Sequence, residues 1–91
     1  MEYKVDYEKK ARQQLKKLDP NTLKMITSWV DENLVGCTNP RAFGKALTAN
    51  FSGKWRYRVG NYRLISDISD ETLTILVVKV GHRKNIYLRN I

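Results

Sequence analysis

Residues 54–64, KWRYRVGNYRL, decide the fold. On both sides of Gly60-Asn61 aromatic or aliphatic residues alternate with basic ones, the two-residue period of a half-buried strand. Gly60-Asn61 is a two-residue connection with glycine first, as a type II′ hairpin turn prefers. Folded about that turn, Val59 faces Tyr62 and Arg58 faces Arg63. Sheet alternation then sets Trp55, Tyr57, Val59, Tyr62 and Leu64 on one face, suited to a core, and Arg56, Arg58 and Arg63 on the other.

Downstream, the second strand runs over 62–68, and Asp70-Glu71 marks another turn. The run 73–80, LTILVVKV, is almost continuously apolar and reads as a central strand covered on both faces. Upstream, residues 37–53 hold Asn39-Pro40 and two glycines, a connecting segment with room for one short helical turn. Before it, Leu23, Ile26, Val30 and Leu34 recur at helical spacing, and Met25 and Trp29 widen the stripe. Asp19 is the expected N-cap of that helix, Pro20 fits its first turn, and Gly36 offers the stop. Tyr7, Ala11, Leu15 and Leu18 define an earlier helix over 7–18, and the two helices are expected as an antiparallel hairpin. Residues 2–6, with Tyr3 and Val5 alternating, read as a first strand. The order strand, helix, helix and a three-stranded antiparallel meander gives an α+β fold with both helices packed on one sheet face. Trp29, Phe51, Trp55 and Tyr57 are assigned to the core.

With 91 residues, 42% hydrophobic and 29% charged, the chain reads as one globular domain over 1–91. The N-terminus, MEYKVDYEKK, lacks the apolar run of a secretory signal, and no apolar stretch of about 18 residues suits a membrane helix. A cytoplasmic protein is expected, with Cys37 a reduced thiol. One histidine and one cysteine make no zinc cluster, and no carboxylate cluster suggests magnesium, so neither metal nor cofactor is expected. The formal charge is +8, from 17 Lys and Arg against 9 Asp and Glu. Such a surplus favours a polyanionic partner, nucleic acid or an acidic protein.

Three arginines on one sheet face, two of them directly opposed, repel one another. A phosphate resolves the conflict, because each guanidinium is permanently charged and presents planar donors to its oxygens. The competing reading is a solvated face whose arginines meet local carboxylates such as Asp67. A second element, Gly81-His82-Arg83-Lys84-Asn85-Ile86-Tyr87, follows the central strand. His82 is the only histidine, and an unperturbed imidazole, with a pKa of about 6.5, exchanges protons near neutrality. Arg83 adds a fixed charge, and Tyr87 suits stacking on a base or passing a proton. Cleaving RNA through its own 2′-hydroxyl needs a base, an acid for the leaving oxygen and positive charge around phosphorus. The arginines, His82 and Tyr87 fit those roles if they converge at the open end of the sheet. DNA lacks the attacking hydroxyl, so the expected substrate is RNA.

The run 54–64, together with Gly81-His82-Arg83 and Tyr87, resembles the RelE branch of the RelE/ParE toxin superfamily, and the match in length, element order and both motifs spans the chain. The resemblance implies the toxin of a type II toxin–antitoxin system: a metal-independent, ribosome-dependent mRNA endonuclease that cuts the codon in the A site and inhibits translation. It implies a RelB-like antitoxin partner and contact with operator DNA only through the antitoxin complex. It also implies His82, Arg83, Tyr87 and Arg63 as catalytic residues, with Arg56, Arg58, Lys54 and Lys84 holding RNA phosphates. Some members carry lysines on the second strand where this chain has Arg56 and Arg58. Arginine is a poor general base, which shifts the burden to His82. Two other readings of the same surface are a ParE-like inhibitor of DNA gyrase and a non-catalytic ribosome- or RNA-binding module. Lys9, Lys10, Lys16 and Lys17 of the first helix suit salt-dependent contact with ribosomal RNA or a merely solvated face.

Overall fold

The structure, a computed structural model, describes residues 1–87. A five-stranded sheet carries two helices. Its strands are β1 (Lys4–Tyr7), β2 (Lys45–Ala46), β3 (Trp55–Val59), β4 (Tyr62–Ser69) and β5 (Thr74–His82), in the spatial order β1-β5-β4-β3-β2. β1 runs parallel to β5, and the other neighbours are antiparallel. The helices α1 (Lys9–Lys16) and α2 (Pro20–Asn33) lie between β1 and β2 in the chain.

The hairpin forms in the register that its alternation implies, with Val59 opposite Tyr62 and Arg58 opposite Arg63. Gly60 takes a positive φ of 59° and Asn61 does not, which is the type II′ pattern. Asp19 caps α2, accepting from the Thr22 amide at 3.1 Å and the Thr22 hydroxyl at 2.6 Å. Gly36, at φ 77°, turns the chain so that its amide donates to the Tyr3 carbonyl at 2.8 Å. Ile26, Val30 and Leu34 of the α2 stripe have no exposure, and each such side chain contributes about 1.5–3 kcal/mol by leaving water. They meet Ala11 and Leu15 of α1 and Tyr57, Val59, Leu64, Ile75, Val77 and Val80 of the sheet in one cluster.

Four expectations change. The first helix begins at Lys9 rather than at Tyr7, because Tyr7 stays in the ladder opposite Val77 and the Glu8 amide still donates to the Val77 carbonyl. The connecting segment contains the short 3-10 turn at Ala49–Phe51 but also β2, which pairs with Arg56 and Trp55 at the sheet edge. Gly44 permits that pairing: its φ is 78°, and a Cβ there would stand 2.0 Å from the Arg56 carbonyl oxygen. Phe51 does not join the helix-side core; its ring lies under Lys79 and against Tyr87. Finally, β5 is covered fully on one face only, since Leu76 and Val78 remain half-buried.

A bulge in β5 matters most for the site. Ser66 pairs with Val77 but Ile65 pairs with Lys79, so Val78 is an extra residue in the ladder. Unbroken alternation from Ile75 and Val77 would send Lys79 into the core and Val80 out of it. The bulge reverses that parity: Val80 is buried with the core opposite Leu64, while Lys79 joins Ile65 on the arginine face.

Candidate functional site

Alternation and register build the face away from the helices in rows. Arg56, Ile65 and Lys79 form one row, and Arg58, Arg63 and Gly81 the next. Gly81 has no side chain to cover its neighbour. Arg63 is nevertheless only 8% exposed, because its guanidinium folds back and donates to the carbonyls of Gly60 at 3.0 Å and Tyr62 at 2.9 Å. Burial pushes the Arg63 guanidinium below the usual arginine range, and the nearby Arg58, Arg56 and Arg83 push it further, against an opposing effect from Tyr87. Those mutual influences show that Arg56, Arg58, Arg63, Arg83 and Tyr87 occupy one electrostatic neighbourhood.

The carboxylate that offered the competing reading is engaged elsewhere. Asp67 accepts from Lys54 Nζ at 2.8 Å, and none of the ion pairs among the described residues engages Arg56, Arg58, Arg63 or Arg83. Arg56 Nε is buried with no acceptor, an unmet donor at the centre of a cationic face. Buried donors that lack a partner are costly, so an oxygen-bearing anion on this face would relieve the repulsion, and an Arg56 side chain turning toward it would meet its free donor.

The turn after β5 supplies the remaining members. The Arg83 amide donates to the Asn61 carbonyl at 2.7 Å, tying this turn to the tip of the hairpin. Ile86 is fully buried outside the helix-side cluster, and Tyr87, 44% exposed, packs edge-on to Phe51 with ring centroids 5.7 Å apart. Lys79 Nζ lies 5.2 Å from the Phe51 centroid, and burial, then the charge of Lys10, holds its pKa below the ordinary lysine value. Phe51 is therefore part of this face. A lone aromatic in a polar loop carries no periodicity, so the sequence pattern did not place it there.

His82 stands apart. The bulge puts it opposite Tyr62, on the face that carries Val59 and Leu64, and the His82 and Tyr62 rings meet edge-on at 5.4 Å. The face bearing Arg58 and Arg63 is the other one. Lys54 is paired as described, and Lys84 is exposed in the turn. Of the expected site residues, Arg56, Arg58 and Arg63 share one sheet face, Arg83 and Tyr87 lie within electrostatic reach of Arg63, and His82 projects from the opposite face.

Comparison with known proteins adds an independent line. Residues 5–87 match the family model described as the ParE toxin of the type II toxin–antitoxin system parDE. The chain is similar to Toxin RelG of Mycobacterium tuberculosis, 35% identical over 89 residues that span 98% of this chain and 100% of the relative. In shape it is similar to a chain of the toxin–antitoxin complex RelBE2 from Mycobacterium tuberculosis, with TM-score 0.82 and 32% identity over 93% of this chain and 95% of that one. A chain of the RelB–RelE antitoxin–toxin complex from Methanococcus jannaschii matches with TM-score 0.68 and 26% identity, covering 93% and 98%. The isolated RelE toxin of E. coli shares the fold, with TM-score 0.68 at 20% identity over 88% and 83%.

Proposed function

This chain belongs to the RelE/ParE superfamily of type II toxin–antitoxin toxins, and from that premise we propose that it is a ribosome-dependent mRNA endonuclease. It acts in the A site, cuts the codon and stops translation. The observation that carries this reading is the buried, acceptor-less Nε of Arg56 among Arg58, Arg63 and Arg83.

Cleavage proceeds by attack of the RNA 2′-oxygen on the adjacent phosphorus. The bond from phosphorus to the 5′-oxygen breaks, leaving a 2′,3′-cyclic phosphate and a 5′-hydroxyl. The attacking hydroxyl loses a proton to a base, and the leaving oxygen gains one from an acid. Negative charge concentrates on the phosphoryl oxygens in between, and permanently charged guanidinium groups stabilise it. Arg56, Arg58, Arg63 and Arg83 take that role. Tyr87, at the rim of the same field, stacks on a base or passes the proton. Lys54 and Lys84 lie at the margin, where they add RNA affinity that falls with salt. A RelB-like antitoxin covers the cationic face and holds the toxin inactive, and operator DNA is reached only through that complex. Action on ribosomes places the protein in the cytoplasm.

Primer extension on an mRNA in a purified translation system tests the reading, comparing the unaltered protein with the Arg56→Ala and Arg83→Ala double variant. Discrete A-site cuts that vanish in the variant are expected. Intact message with the unaltered protein overturns the nuclease. Inhibition of DNA gyrase supercoiling would then assign the ParE activity, and ribosome binding without cuts a non-catalytic module.

A further inference from the structure

We infer, building on the nuclease reading, that His82 is a positioning residue: it caps the turn that delivers Arg83 and Tyr87 to the arginine face, and moves no proton itself. The main-chain donors of 83–86 show why. Arg83 donates to Asn61, and the three amides that follow all end on His82. Lys84 donates to its Nδ1 at 3.2 Å, Asn85 to its carbonyl at 2.8 Å and Ile86 to the same carbonyl at 2.9 Å. The side chain meets the one amide in this turn that the backbone leaves unmet, as an Asn or Asp side chain does in an Asx turn.

Two further observations exclude the imidazole from the reacting atoms. Accepting from Lys84 occupies the Nδ1 lone pair and leaves the ring's proton on Nε2. The edge-on contact with Tyr62 and the ladder register hold that ring on the helix side of the sheet, behind Arg58 and Arg63. What crosses to the arginine face is the chain beyond it. Arg83 leaves the ladder at the hairpin tip, buried Ile86 fixes the far end, and Tyr87 emerges against Phe51.

Three substitutions separate capping from proton transfer. Asparagine at 82 keeps an acceptor for the amide two residues on but cannot act as a neutral-pH base. Phenylalanine keeps a ring against Tyr62 but offers no acceptor, and alanine keeps neither. Amide hydrogen exchange, read by NMR on the intact protein, is expected to quicken several-fold at Lys84 in the His82→Ala and His82→Phe proteins and to stay near the unaltered rate in His82→Asn. In the translation assay, His82→Asn is expected to cut within about threefold of the unaltered protein, and the other two at least about tenfold more slowly, with melting temperatures checked alongside. Protected exchange at Lys84 in His82→Ala overturns the cap. An inactive His82→Asn with a protected Lys84 amide shows that the imidazole itself is needed and overturns the positioning role. If the unaltered protein cuts nothing, the nuclease reading fails and the exchange result still decides the cap.

Discussion

The two faces of the sheet use the same strands in opposite ways. Toward the helices, Tyr57, Val59, Leu64, Ile75, Val77 and Val80 close into a cluster with α1 and α2. On it the buried Tyr57 hydroxyl donates to the Pro40 carbonyl at 2.6 Å, and the buried Ser66 hydroxyl, opposite Val77, has no partner. Toward the other side, Arg58 stands directly across from Arg63 and Arg56 keeps an unmet donor. The first face gathers its free energy on folding. The second holds an arrangement that is unfavourable until an anion arrives, and strain of that kind collects where proteins act on ligands.

Substitutions on the two faces should separate stability from activity. Leu64→Ala, in the core, is expected to lower unfolding free energy by about 2–5 kcal/mol in urea titration. Arg83→Ala, on the other side, is expected to slow A-site cutting by about 10²–10³-fold with no comparable loss of stability. Equal damage to folding by both would erase the distinction between the faces. At the sheet edge, Gly44→Ala forces a Cβ into the Arg56 carbonyl and an unfavourable φ together. A loss of about 1–3 kcal/mol should follow, with faster amide exchange along β2 and the Arg56 end of β3. Arg58→Gln sharpens the contrast in the opposite direction. Removing one of two opposed cations should raise stability by about 0.2–1 kcal/mol while weakening cleavage, and a variant both less stable and fully active would contradict the reading.

The smallest effect lies at the far end of the sheet. Asp70 accepts from Arg41 at 3.0 Å and from the Tyr3 hydroxyl at 2.6 Å, and these bonds, Arg41's first, hold its carboxyl below the usual range. A carboxyl depressed by folding contributes stability above its unfolded pKa of about 3.9 and loses it as pH falls through the lower folded value. Asp70→Asn should therefore lower the melting temperature at pH 6, and the gap to the unaltered protein should narrow as pH falls from the unfolded value of about 3.9 through the lower folded one.

The helix-face residues of the hairpin were legible because the alternation over 54–64 admits one register about a glycine-first turn. The α2 cap and stripe were legible for the same kind of reason, a pattern with one cheap solution. The run 73–80 was not: where nearly every residue is apolar, no period fixes the ladder, and the bulge at Val78 hides in it. Lys79 is the visible trace, the one charge in that run and the residue the bulge turns outward. His82 was expected among the arginines from its proton chemistry and the family resemblance, and the bulge turns it to the other face. β2 escaped because two residues pair through their backbones and leave no side-chain rhythm, with Gly44 as its only mark.

The pairing of β1 with β5 also sets a timetable. Lys4 lies beside Thr74, so the first strand made waits some seventy residues for its neighbour, and residues 83–87 that complete the cationic face are made later still. Contacts so distant in sequence form late and slow folding. A chain still being synthesised therefore carries its hairpin of arginines without Arg83, Tyr87 or the strand that aligns them. For a protein whose proposed target is the translating ribosome, assembly order withholds the finished face from the very ribosome that is making it.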